Sequence, residues 1–122
     1  MPHPMDRVRN SAIDLGALIE IIDEVDIIEV LNARVTFAAD NDRARILARA
    51  YDRGMGAGSD AHQGYEIGRA YVTVDELAAS EALLRGLCWR NVHGRISSPL
   101  VHVGSTCAKL AKGIQAFAPH SQ

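Results

Sequence analysis

The stretch that decides the fold is Asp26-Ile27-Ile28-Glu29-Val30-Leu31-Asn32, which is nearly continuous in apolar residues and rich in β-branched ones. A short run of this kind is typical of a strand buried on both faces of a parallel sheet. Glu29 is the exception within it, and a buried carboxylate needs a partner, with Arg34 or another arginine as a candidate. We therefore predict a central strand that carries one ionisable side chain.

Helical patterns flank this strand on both sides. Before it, apolar residues recur at helical spacing over residues 17–25, and Ser11 is a candidate N-cap. After it, a second apolar stripe covers residues 44–51, with Asp40 or Asn41 as the candidate cap. The order helix, strand, helix is the beginning of an α/β arrangement.

The rest of the chain continues this alternation. Residues 55–59 and 70–74 are predicted as short strands, and capping-box spacing opens a helix over residues 73–86. Residues 87–96 fit either a strand or an irregular connection. A long last helix is predicted over residues 98–117, where Ser-Pro opens a clean apolar stripe. The sequence thus predicts an α/β fold of parallel βα units with a long C-terminal helix.

Composition narrows the classes of function. The 122 residues suffice for one domain or part of one, and 48% of them are hydrophobic while only 5% are aromatic. A net charge of −2 and the absence of a basic run give no nucleic-acid footprint. No stretch is apolar enough to span a bilayer, and no signal peptide is visible. Cys88 and Cys107 lie in apolar patterns, which predicts buried free thiols in a reducing cytoplasm.

The run Gly56-Ala57-Gly58-Ser59-Asp60-Ala61-His62 carries the chemistry of a metal site. Two residues apart in extended backbone, Asp60 and His62 can face one cation from the same side. His3 is a third candidate ligand, and one carboxylate with two imidazoles can hold a single zinc or manganese ion. Taken without other information, these residues also fit a plainer interpretation, in which Asp60 caps the next segment and His62 is a solvated loop residue.

Four stretches of the chain occur together in an informative order and spacing. They are Pro2-His3-Pro4-Met5-Asp6-Arg7-Val8-Arg9, Ile28-Glu29-Val30-Leu31-Asn32-Ala33-Arg34, Gly58-Ser59-Asp60-Ala61-His62 and Glu66-Ile67-Gly68-Arg69-Ala70. In sequence and in order they resemble the motifs in the C-terminal half of the PHP superfamily, the polymerase and histidinol phosphatase metal-dependent phosphoesterases.

This resemblance implies a fold and a site. The fold would be the C-terminal half of a distorted (β/α)7 barrel, whose metal cluster lies at the carboxyl ends of the strands. His3, Asp60 and His62 would be metal ligands for a divalent zinc, manganese or iron ion, with room for a single ion. Four further residues would lie near the site, Glu66 shaping the loop beside it: Glu29, Asn32, Arg34 and Glu66.

The sequence also departs from the family. The His-x-His motif, the Asp-His motif and the bridging glutamate of the family's N-terminal half are not found in it. We therefore expect residues 1–122 to form a single partial PHP-like domain that hydrolyses phosphorylated small molecules weakly or not at all by itself. Open sheet edges favour a homodimer or a complex with a separate N-terminal half. The alternative is a non-catalytic α/β module for metal binding or interaction.

Overall fold

The computed structural model describes residues 1–8, 13–74 and 80–98. The helices and strands, in chain order, are α1 Leu15–Glu20, β1 Ile27–Asn32, α2 Ala38–Ala50, β2 Gly54–Gly58, β3 Ala70–Val72, α3 Ser80–Gly86 and β4 Val92–Gly94. Three 3-10 turns add Ile22–Glu24, Gly64–Glu66 and Trp89–Asn91. Strand β1 pairs with β2 in parallel, and β3 pairs with β4 in antiparallel orientation. The predicted α/β class, with a parallel strand pair, is confirmed.

The antiparallel pair corrects the expectation of parallel βα units throughout. Residues 87–96, which fitted two interpretations, contain β4, and its last residue Gly94 has a φ of 133°. A Cβ atom at Gly94 would overlap the carbonyl oxygen of Arg69 and the backbone of Ala70, so only glycine permits this close strand approach. The predicted last helix lies outside the described residues except for Ser98 at its start.

The core lies between α1, the parallel pair and α2. It is formed by aliphatic side chains and alanines, as the low aromatic content predicts: Leu18, Ile22, Ile28, Val30, Ala44, Leu47, Ala48 and Met55. The predicted apolar stripe of α2 is confirmed for Ala44, Leu47 and Ala48. The predicted burial of Cys88 is wrong, because this free thiol is partly exposed beside an open cleft.

Helix α1 begins at a different cap from the one predicted. The carboxylate of Asp14 accepts hydrogen bonds from the backbone N–H groups of Gly16 at 2.9 Å and Ala17 at 3.3 Å. Ser11, the predicted cap, lies outside the described residues. The helix ends at Glu20 and is followed by a 3-10 turn, which breaks the 3.6-residue period of the predicted stripe. Of the predicted stripe, Leu18 and Ile22 are buried, whereas Ala17 and Ile21 are exposed.

The predicted cap of α2 at Asp40 or Asn41 is wrong, because the helix begins at Ala38 after Phe37. Both predicted residues lie in the first turn, and their side chains bond to other segments. Asp40 pairs with Arg7, and Asn41 bonds the backbone of Asn32. Within the described part of the chain, no helix has the length and apolar character needed to cross a membrane.

Candidate metal centre

Three segments that run parallel to one another end at the same edge of the molecule: the segment at Met1, β1 and β2. On the side of β1 away from β2, the amino group of Met1 donates to the carbonyl of Ile27 at 2.7 Å, and the N–H of Glu29 donates to the carbonyl of Met1 at 2.9 Å. Bonds that flank one residue in this way have the pattern of a parallel ladder. His3, the end of β1 and the end of β2 therefore lie at the carboxyl edge, where sites form in open parallel sheets.

The carboxylate of Glu29 connects these three segments. Its Oε2 atom accepts hydrogen bonds from the backbone N–H of His3 at 2.5 Å and from Nδ2 of Asn32 at 3.2 Å. Its Oε1 atom lies against Gly58, where a Cβ atom would overlap it. The hypothesis that Glu29 pairs with Arg34 is thus wrong, because backbone and amide donors at the strand ends bind the carboxylate.

An irregularity in β1 makes the contact between Glu29 and Asn32 possible. In a regular strand, residues three apart point to opposite faces. The pairing with β2 shifts register between Glu29 and Leu31, so β1 contains one residue more than its partner at this point. Asn32 then reaches back to the carboxylate while its backbone continues the ladder to Gly58.

The Asp60-x-His62 pair lies directly beyond β2. The backbone of Asp60 has a φ of 49°, so the segment is bent here and not extended as the sequence predicts. The two side chains nevertheless face each other, with 3.8 Å between Nε2 of His62 and Oδ1 of Asp60. The imidazole is about half exposed and the carboxylate is mostly covered. Gln63, with Glu66, caps the following 3-10 turn through a capping box, a role the plainer interpretation gave to Asp60.

Glu66 binds the backbone of this loop through its carboxylate. It is fully buried, and its Oε1 atom pairs with Nη1 of Arg34 at 2.5 Å, while Arg34 is itself 3% exposed. Its Oε2 atom accepts hydrogen bonds from the N–H groups of His62 at 3.0 Å and Gln63 at 2.9 Å. One buried ion pair therefore joins the turn after β1 to the loop that carries Asp60 and His62.

The ionisation of Glu66 follows from these contacts. Burial raises the pKa of its carboxyl, but four contributions oppose this: the N–H of His62, the positive charge of Arg34, the Arg34 hydrogen bond and the N–H of Gln63. Together they place the pKa of Glu66 below its ordinary value of 4.5. The carboxylate is thus charged at neutral pH and remains a hydrogen-bond acceptor for the loop.

Asn32 fixes the turn that carries Arg34. Its Oδ1 atom accepts from the N–H of Arg34 at 2.8 Å. Its backbone N–H and carbonyl exchange hydrogen bonds with the side-chain amide of Asn41 at 3.0 and 3.1 Å. The predicted near-site residues Glu29, Asn32, Arg34 and Glu66 therefore form two connected groups around the strand ends, and in this structure they bind protein atoms.

Sequence reasoning missed the anchor of the His3 segment. Asp40 is 1% exposed, and its Oδ1 atom lies 2.7 Å from Nε of Arg7 and 3.7 Å from Nη1 of Arg43. The guanidinium of Arg7 also stacks over the ring of Phe37, with 5.1 Å from Cζ to the ring centroid. The Asp-Arg that follows His-Pro in the first motif was the signal, because its arginine ties the segment to α2.

The donor types of the predicted ligands suit a divalent cation. One carboxylate and two imidazoles match the ligand preferences of zinc and of related transition metals. The structure brings Asp60 and His62 together and holds the backbone of His3 at the same edge. Among residues 1–8, 13–74 and 80–98, no three His, Cys, Asp or Glu side chains are close enough to hold an ion.

Comparison with known protein families gives a match over part of the chain. A family model described as PHP-associated matches residues 38–88. The resemblance to the C-terminal part of the PHP superfamily is confirmed. The matched residues include α2, β2, the Asp60-x-His62 loop and Glu66, whereas His3 and β1 precede them.

A curated relative extends the similarity. The chain is 35% identical over 80 residues to an uncharacterized protein of Methanocaldococcus jannaschii, an alignment that covers 63% of this chain and 34% of that protein. The chain thus spans about a third of the length of this relative. No solved structure matches the chain significantly.

Proposed function

We propose that this chain provides part of the metal centre of a PHP-type metal-dependent phosphoesterase. His3, Asp60 and His62 would bind one divalent cation, zinc, manganese or iron, which would act as a Lewis acid on a phosphate oxygen. The observation that carries the proposal is the meeting of three parallel-type segments at one edge, with Glu29 bonded to the backbone of His3 and lying against Gly58. The PHP-associated region supports it from sequence.

Residues 1–122 would form a partial domain of the barrel family in this proposal. The parallel pair β1–β2, extended by the segment at Met1, gives a parallel arrangement in which β1 is the inner member. A multinuclear hydrolase needs ions that hold the phosphate, activate water and stabilise the leaving oxygen. Three donors suffice for one ion, so turnover of a phosphorylated small molecule would need donors beyond those identified in this sequence.

Metal content is the first test. The protein is purified without a histidine tag, and zinc, manganese and iron are measured by inductively coupled plasma mass spectrometry. We expect about one equivalent in the wild type, lost in Asp60→Ala/His62→Ala. The matched control Asp42→Ala/His93→Ala removes the same two side-chain types elsewhere and should keep the ion. An ion-free wild type, or equal metal in both double variants, would contradict the proposal.

Activity is tested separately with a generic phosphomonoester and added manganese. We expect no turnover above the rate without protein, because a single ion cannot clamp both the attacking and the leaving oxygen. If the wild type turns over the phosphomonoester and His62→Ala does not, then three metal ligands are enough for activity. The requirement for further metal ligands would then be overturned.

A second candidate function is an interaction module, favoured by exposed apolar side chains. Ile46 is 65% exposed on α2, and Ile67 is 74% exposed beside the loop of Glu66. Exposed groups of this size favour association with a second copy or with a separate N-terminal half. Light scattering at micromolar concentration should then report a dimer. A monodisperse monomer would exclude association with a second copy and leave only association with a separate N-terminal half.

A further inference from the structure

The outer face of the antiparallel pair β3–β4 carries paired aromatic side chains that take no part in the proposed metal centre. Ala70 is buried and Val92 packs against the core, so the alternate positions of β3 and β4 face outward. Tyr71 and His93 are direct cross-strand partners on this side. Tyr71 is 49% exposed. We call this surface the β3–β4 face, defined by Arg69, Tyr71, Thr73, His93 and Arg95.

The two rings of this face form an ordered platform. Their centroids are 5.4 Å apart, with 33° between the ring planes. The hydroxyl of Thr73 lies 2.9 Å from Nε2 of His93, which fixes the orientation of the imidazole. A third flat ring can therefore stack on Tyr71 and His93 without first ordering them, and such stacking is tolerant of the identity of the base.

Two arginines occupy the next rung of the same ladder. The N–H of Arg95 donates to the carbonyl of Arg69 at 3.0 Å, so the two residues lie opposite each other directly beyond the paired residues Ala70 and Gly94. Like charges directly opposite in a sheet destabilise it. Within the part of the chain that the structure describes, neither guanidinium forms an ion pair. The pair thus offers two unneutralised cations to an anion.

The spacing of the two rungs fits one ligand class. Residues two apart on a strand are separated by about 7 Å, comparable with the span of a ribose between a base and its phosphate. We propose that the β3–β4 face binds a nucleoside monophosphate, with the base stacked on Tyr71 and His93 and the phosphate between Arg69 and Arg95. Arginine pairs bind phosphate through short charge-assisted hydrogen bonds, and charge complementarity thus selects this ligand over a neutral ring.

The test is calorimetric titration of adenosine 5′-monophosphate into the full chain at low ionic strength with EDTA present. We expect saturable binding at one site. The affinity should fall at least about tenfold in Arg69→Gln/Arg95→Gln, which removes charged phosphate donors, and about tenfold in Tyr71→Ala, which removes the stacking surface. Arg49→Gln, an exposed arginine on α2, is the matched control and should bind as the wild type does.

Ligand fragments distinguish the two halves of the site. Ribose 5-phosphate and adenosine should each bind more weakly than the whole nucleotide. Equal affinity for ribose 5-phosphate would overturn the stacking role, and unchanged affinity in the double arginine variant would overturn the phosphate role. Binding of a short single-stranded oligonucleotide without binding of the mononucleotide would also overturn the proposal. Because EDTA is present, Asp60→Ala/His62→Ala should leave this binding intact, whatever the outcome for the metal centre.

Discussion

At the scale of single residues, Glu66 is the side chain that orders the loop of Asp60 and His62. It accepts a buried hydrogen bond from Arg34 and partly buried ones from the N–H groups of His62 and Gln63. A buried ion pair of this kind contributes little net stability when intact, because desolvation offsets the attraction. It is costly to break, since the remaining charge is left buried.

Replacing Glu66 tests this directly. Glu66→Ala should lower the free energy of unfolding by about 3–5 kcal/mol, and Glu66→Gln by less, because its amide oxygen still accepts from the two loop N–H groups. The measurement is urea unfolding followed by circular dichroism. The control is Asp42→Ala, which breaks the exposed Arg45–Asp42 pair of 2.7 Å and should cost below about 1 kcal/mol. Equal losses would contradict the structural role of Glu66.

The low pKa of Glu66 also makes stability depend on pH. The folded pKa lies below the ordinary value of 4.5 that applies to the unfolded chain. The stabilisation from the ionised carboxylate is therefore complete above that value and is lost as the pH falls through the folded pKa. We expect the difference in unfolding free energy between wild type and Glu66→Gln to be constant at neutral pH and to shrink below pH 4.5. The prediction would be contradicted if the difference in unfolding free energy stayed constant down to about pH 3, which is more than one pH unit below 4.5.

At the scale of elements, the sequence predicted β1, α2, β2 and β3, but it did not predict the direction of the shortest strands. Strand β1 was recognised from its apolar run, and α2 from a stripe that spans two turns. Strands β3 and β4 have three residues each, which is too short for a pattern that tells their direction. The start of α2 follows Phe37, which offers no side-chain cap, so no capping residue marks this helix start in the sequence.

The approach of β1 to β2 depends on a glycine at the carboxyl edge. A Cβ atom at Gly58 would overlap Oε1 of Glu29, so Gly58→Ala should displace the carboxylate and cost about 1–3 kcal/mol in unfolding free energy. Thermal unfolding by calorimetry measures it. Gly64→Ala is the control, because no atom lies within 4 Å of an added methyl group there. It should change stability by less than about 0.5 kcal/mol, and a similar loss in both variants would contradict the role of Gly58.

At the scale of the whole molecule, motif order predicted which segments meet, but not what joins them. His3, Glu29, Asn32 and the Asp60-x-His62 loop all lie at the carboxyl edge, as the family resemblance implies. The partner of Arg34 could not be predicted, because Glu66 lies 32 residues away and pairs across two loops. Periodicity reports on local structure, whereas such a pair depends on how the strands are aligned.

The Arg34–Glu66 pair also bears on the order of folding events. It closes a loop of 32 residues around α2 and β2, and closing a long loop costs entropy that only non-local contacts repay. The loop of His62 should therefore reach its native shape only after β1, α2 and β2 have assembled. Refolding rates in stopped-flow experiments should then be the same with and without zinc. A cation would bind a loop that the fold has already shaped, and it would not act as the nucleus around which the chain folds.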